Sequence, residues 1–433
     1  MNKLIMAAIL GIISSPAYAE EAARAAKIDT GDTAFVLLSA ALVLLMTPAL
    51  AMFYGGMVRR KNVLGTIMQS FVVIALISVQ WVLLGYSLSF GPDIKGLIGG
   101  LDWIGLKGVG LEPNADYAAT VPHMAFMIYQ AMFAVITPAL ISGAIAERMK
   151  FSAFLIFTLL WSTFVYDPVA HWVWGTGGWL KELGVIDFAG GIVVHVTSGI
   201  SALAAALIIG KRKGYMHDAM TPHNLPLTVL GAGLLWFGWF GFNGGSALAS
   251  GGLSTMAFVV THISAVAATL IWVLIEWAHR GKPTMFGAAT GSIAGLATIT
   301  PASGFVGPMS ALLIGFAAGA VCYAALNLKN RFRYDDSLDA FGVHGVGGIL
   351  GTLAAGLLAQ KAINPAGADG LFFGNPKLFL AQAAGVAVTA LYSFIATAAM
   401  LKLIDMTIGI RVDDESEVMG LDISQHGESG YTL

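Results

Sequence analysis

Asp187-Phe188-Ala189-Gly190-Gly191-Ile192-Val193-Val194-His195-Val196-Thr197-Ser198-Gly199-Ile200 is the stretch that decides the fold. It opens an apolar run that lasts to Ile209 and stops at Lys211-Arg212-Lys213. About 20 such residues, rising 1.5 Å each, cross a bilayer. A histidine inside the run is costly unless it faces a cavity or a partner. The chain supplies that partner as a second copy. Gly342-Val343-His344-Gly345-Val346-Gly347-Gly348-Ile349 repeats the His-x-x-x-Gly-Ile core, and Leu203-Ala204-Ala205 is echoed by Leu353-Ala354-Ala355, one residue later in register. An acid stands eight residues before each histidine, Asp187 and Asp336.

Composition sets the class. Of 433 residues, 57% are apolar and only 11% charged, against about a quarter charged in soluble domains, so the chain is a polytopic membrane protein. No basic patch points to nucleic acid. The single cysteine, Cys322, excludes an intrachain disulfide and a cysteine metal site. Residues 1–19 read as a signal peptide: Lys3, a short apolar core from Leu4 to Ile13, and Ala17-Tyr18-Ala19 for cleavage. Residues 20–33 then form a periplasmic segment, 34–404 the membrane domain, and 405–433 a cytoplasmic tail with six acids and one basic residue from Arg411 onward.

Apolar stretches predict an all-α protein of eleven spans, near 34–57, 63–90, 121–146, 152–171, 190–210, 226–246, 254–278, 285–302, 307–327, 341–360 and 378–404. Loops after odd-numbered spans carry thirteen basic residues, among them Arg59, Arg148, Arg212 and Lys329, against five after even-numbered ones. The positive-inside rule puts the N-terminus outside and the tail inside, in the cell inner membrane. Spans five and ten then run in opposite directions. This predicts a 5+5 inverted repeat, spans one to five matching six to ten, with the eleventh outside the symmetry. Each histidine lies about 12 Å of helix from its acid, so both approach the midplane.

A neutral imidazole has one donor and one acceptor, so two adjacent rings share a proton and line a dry path. Asp187 reads as a buried N-cap that supports an outer cation site without touching the cation. Trp172, Trp174 and Trp179 follow span four, and Trp239, Phe240, Phe242 and Ser246 close span six, where an aromatic face can hold a small cation. Phosphate-cradling loops, HExxH and Gly-x-Ser-x-Gly are absent from the sequence. The reading is therefore a transporter rather than an enzyme, without cofactor or metal.

At these residues the chain resembles the bacterial branch of the Amt/Mep/Rh ammonium transporter family, from about Asp32 to Tyr431. The specific matches are Asp187-Phe-Ala-Gly-Gly-x-x-x-His195, Gly238-Trp239-Phe240-Gly241-Phe242-Asn243, Phe341-Gly342-Val343-His344-Gly345-Val346, and Gly420-Leu421-Asp422 with His426-Gly427-Glu428 in the tail. The resemblance implies a homotrimer in membrane lipid with one pore per subunit. It implies an outer ammonium site of Trp174 and Ser246 with Phe133, and a gate of Phe133 and Phe242. His195 and His344 would line the conduit with Trp239, Thr300 lying near its upper part. The tail would be ordered and would receive a PII signalling protein. Tyr129 departs from a bacterial relative that carries Phe there. Net ammonium uptake is the leading expectation; an electroneutral gas channel of Rh type and an ammonium sensor are the two others.

Overall fold

In the computed structural model, which describes residues 27–431, the two histidine segments cross each other at the centre. Each begins as a π-helix, Gly191–Val196 and Phe341–Gly345, and continues as an α-helix, Thr197–Ile209 and Val346–Leu358. Together they form α5 (Gly191–Ile209) and α10 (Phe341–Leu358). The shared glycine of the motif is what permits the crossing. A Cβ on Gly199 would lie 2.1 Å from the Gly345 nitrogen, and one on Gly348 would lie 2.8 Å from the Gly191 oxygen and from His195 Cβ. As α5 advances from 191 to 199, its neighbour on α10 retreats from 348 to 345. The helices are therefore antiparallel, each glycine receiving the other repeat.

The remaining helices are α1 (Thr30–Met57), α2 (Arg60–Phe90), α3 (His123–Ile145), α4 (Phe151–Glu182, interrupted after Trp174), α6 (Leu225–Gly244), α7 (Gly252–Arg280), α8 (Met285–Ile299), α9 (Pro308–Phe332) and α11 (Pro376–Thr407). α1 and α6, first in each half, pack antiparallel through glycines. Gly231 meets Ala49 and Phe53, Gly238 meets Leu42 and Met46, and Gly241 meets Ser39 and Leu42. α3, α5 and α8 are enclosed almost entirely, whereas α2, α7, α9 and α11 each turn an apolar face outward. The chain thus has the two inverted halves and the additional eleventh helix.

Two boundaries and one loop differ from expectation in ways the side chains explain. α1 starts at Thr30 rather than 34, because Asp29 caps it, its carboxylate accepting the Asp32 N–H at 2.9 Å. α8 stops at Ile299, short of 302, where Pro301 ends the helix. Its irregular continuation through Phe305 is fully enclosed by protein, the one setting in which non-helical backbone is tolerated at membrane depth. The 91–120 loop holds two small hairpins within an otherwise helical chain: β1 (Asp93–Ile94) with β2 (Ile98–Gly99), and β3 (Pro113–Asn114) with β4 (Ala118–Pro122). The expected signal peptide, 1–19, lies outside the described residues.

The tail is ordered. Beyond α11 it forms α12 (Asp414–Met419) and α13 (Leu421–His426) and lies across the loops that follow α1, α3 and α5. Lys150 N–H donates to the Ile410 carbonyl at 2.9 Å, and Lys213 N–H to Glu417 Oε1 at 2.7 Å. Leu421 N–H donates to Asn62 Oδ1 and Gly65 N–H to Asp422 Oδ1, each at 2.8 Å. Beneath it, Glu147 bridges Arg59 (2.7 Å) and Arg212 (3.2 Å), and Arg212 binds Asp335 at 2.8 Å. Loops after α1, α3, α5 and α9 are thereby joined on one face, as the alternation of basic loops requires.

Candidate functional site

Asp187 organises the opposite face. Its carboxylate accepts the backbone N–H groups of Gly190, Gly191, Ile192 and Val193 at 2.8, 2.6, 2.7 and 3.1 Å. Those four donors would otherwise be orphaned at the start of α5. Its own carbonyl accepts the Trp174 indole N–H at 2.8 Å, so one residue fixes both the helix entry and the tryptophan. Asp336 repeats the device at α10, accepting Ala340 and Phe341 N–H at 3.1 and 2.8 Å.

A cavity of about 150 Å³ opens on this face, lined by Trp174, Phe133, Ser246, Gln130, Phe188 and Tyr117, with Asp116 and Lys181 exposed at its mouth. Phe133 meets Trp174 edge-on at 5.9 Å. Beneath it Phe242 lies 4.4 Å from Phe133 between ring centres, and both are buried, closing the cavity floor. Ser246 donates its hydroxyl to the Phe242 carbonyl at 2.8 Å. Below the phenylalanines is an apolar slot of about 10 Å³, close to the space of one water. Its lining includes His195, His344, Trp239, Phe242, Ile136 and Leu140.

His195 and His344 touch through Nδ1 at 3.3 Å, their rings within 14° of parallel. One Nδ1 must carry the proton and the other accept it. The pair therefore presents one Nε2 as acceptor and the other as N–H donor. His195 Nε2 is buried without a partner among the described residues. Trp239 lies near-parallel beside His195 at 5.6 Å, and its indole N–H donates to Thr300 Oγ1 at 2.9 Å. Thr300 in turn donates to the Leu296 carbonyl, which ties the interrupted end of α8 to the slot.

Nine of the residues singled out in the sequence are thus brought together, whereas Trp172 packs on Trp179 and Phe240 on Phe258, outside the linings of cavity and slot. Rings run from Trp174 through Phe133 and Phe242 to His195 and His344, with Ser246, Asp187, Trp239 and Thr300 holding them. Sequence reasoning missed Gln130 and Phe188 in the cavity wall. Gln130 has a signal in hindsight, a polar residue one helical turn before Phe133 in an apolar span.

A sequence model of the Ammonium Transporter Family matches residues 34–431. The chain belongs to that family. Among its relatives, the ammonium transporter of Bacillus subtilis is 53% identical over 402 residues, covering 93% of this chain and 98% of that protein. The crystal structure of Saccharomyces cerevisiae Mep2 superposes with a TM-score of 0.85 at 34% identity, covering 90% of this chain and 89% of that one. A structure described as a sensor Amt protein gives 0.84 at 31%, covering 92% and 98%. This family member is accordingly a multi-pass membrane protein and an ammonium transporter. The ring column lies within its two most enclosed helices and their neighbours.

Proposed function

We propose that the transporter takes up ammonium selectively by releasing its proton to solvent at the outer cavity and passing ammonia along the paired histidines. The observation that carries this reading is the change of environment along one line. An aromatic and hydroxyl cavity gives way, across the Phe133–Phe242 contact, to a slot whose only polar lining is the imidazole pair.

Ammonium and potassium are alike in charge and size, but only ammonium donates hydrogen bonds and can surrender a proton. Trp174 offers a π face, worth about 2 kcal/mol to a desolvated cation. Ser246, its hydrogen already committed to Phe242, offers a lone pair. An intact ion entering the apolar slot would forfeit hydration that nothing there replaces. Ammonia enters far more cheaply once Phe133 and Phe242 turn aside, and the histidine pair then presents it with one donor and one acceptor. Reprotonation on the tail face completes the passage. When the released proton follows by its own route, uptake is electrogenic and draws about 2.3 kcal/mol per 100 mV from the membrane potential.

The tail face is assigned to the cytoplasm of the inner membrane, because the loops there carry the excess of Lys and Arg. A homotrimer and a PII partner on that face complete the reading, both checked by native mass spectrometry with and without PII. For the outer site, Trp174→Leu and Ser246→Ala should each raise the half-saturating ammonium concentration by about tenfold, given 1–2 kcal/mol per contact. Unchanged half-saturation in both variants, measured in proteoliposomes, would remove the cavity from the pathway.

A further inference from the structure

The Tyr129 hydroxyl has a built seat. The side chain is buried on α3, one helical turn before Phe133, and packs edge-on against that ring at 5.0 Å. Its Oη reaches the closing turn of α6. It lies 2.9 Å from the Phe242 carbonyl, 3.0 Å from the Gly241 carbonyl and 3.1 Å from Ser246 Oγ. Gly245 makes room for it, since a Cβ there would stand 2.8 Å from Tyr129 Oη. One hydroxyl therefore touches the backbone of the floor residue, the ring of its partner, and the side chain offered to the ion.

We propose that Tyr129 is a positioning and specificity residue of the outer site, acting through Ser246 and Phe242 rather than on the ion itself. This rests on the reading of the outer cavity given above. Two protons are shared among Tyr129, Ser246 and the two carbonyls. In either arrangement that keeps these bonds, the Ser246 hydrogen is taken up by Phe242 O or by Tyr129 Oη. Ser246 is left as an acceptor only, which suits a ligand made entirely of N–H donors and disfavours one that must accept. The same bonds hold the Phe242 carbonyl from the side of α3, so the ring beneath Phe133 is fixed by both helices.

The test is Tyr129→Phe, which removes one oxygen and keeps the ring, compared with Ser246→Ala, the double variant, and Tyr86→Phe. Tyr86 is a control because its buried hydroxyl is engaged elsewhere, by His123. In proteoliposomes, Tyr129→Phe should raise the half-saturating ammonium concentration about three- to tenfold and leave the maximal current within about twofold. Tyr86→Phe should leave half-saturation where it was. In the Ser246→Ala background the Tyr129 substitution should add far less than it does alone, because the contact to Ser246 is already gone and only the one to the Phe242 carbonyl is left to lose. Full multiplication of the two effects, or an unchanged half-saturation in Tyr129→Phe, would overturn the inference. A silent Ser246→Ala would overturn this inference, and a silent Trp174→Leu beside it would remove the outer-site reading as well. A weakened Ser246→Ala beside a silent Tyr129→Phe would overturn this inference alone.

Discussion

Asp187 satisfies four backbone donors with one carboxylate, and its isostere cannot. Asparagine offers a single acceptor oxygen, and its amide would face N–H groups that themselves donate. Asp187→Asn therefore leaves about two buried donors unsatisfied, at roughly 1–3 kcal/mol each. It should lower the thermal midpoint of the detergent-solubilised protein and abolish transport, since the backbone carbonyl that holds Trp174 belongs to the turn those four bonds fix. A variant with wild-type stability and lost transport would instead assign the acid a direct part in handling the ion. At this scale much was legible: an acid or imidazole in an apolar run is expensive, so Asp187, His195 and His344 announce themselves. The partners of Tyr129 did not, because its three contacts lie more than a hundred positions along the chain.

At the scale of elements, the apolar stretches placed all eleven helices, and the His-x-x-x-Gly echo marked the crossing of α5 and α10. The sequence carried no sign that both would begin as π-helices, since a one-residue widening leaves the apolar pattern intact. The tail motif Gly420-Leu421-Asp422 led to the expectation of an ordered tail, and the structure seats Leu421 and Asp422 of that motif against Asn62 and Gly65. Beneath it the charged cluster makes a pH prediction. Burial alone would raise the Glu147 carboxyl, but Arg212 and Arg59 outweigh it and hold it below its ordinary 4.5. Asp335 is held below 3.8 in the same way, burial being overcome by Arg212 and Arg148. Carboxyls depressed in the folded state stabilise it above their unfolded values and lose that contribution as pH falls through the folded ones. Thermal midpoints should therefore decline as pH drops below about 4.5. Glu147→Gln should cost about 3 kcal/mol at pH 7 and make that acid decline shallower. An identical acid profile in the variant would contradict the assignment.

For the whole molecule, the inverted halves bring two acids, two histidines and two motif glycines into reciprocal positions, so the slot forms where the repeats meet. The membrane class followed from composition and the halves from the alternation of basic loops, but the width of the slot depends on side chains from six helices. The central claim is that this slot admits ammonia and refuses cations. Its most direct test records charge movement in proteoliposomes after jumps of ammonium or potassium, for the wild type and for the His195→Ala/His344→Ala variant. The account predicts a current evoked by ammonium and not by potassium, with that selective current lost in the double variant. A rise of internal pH without current would contradict electrogenic uptake, and an equal potassium current in the wild type would contradict the mechanism itself.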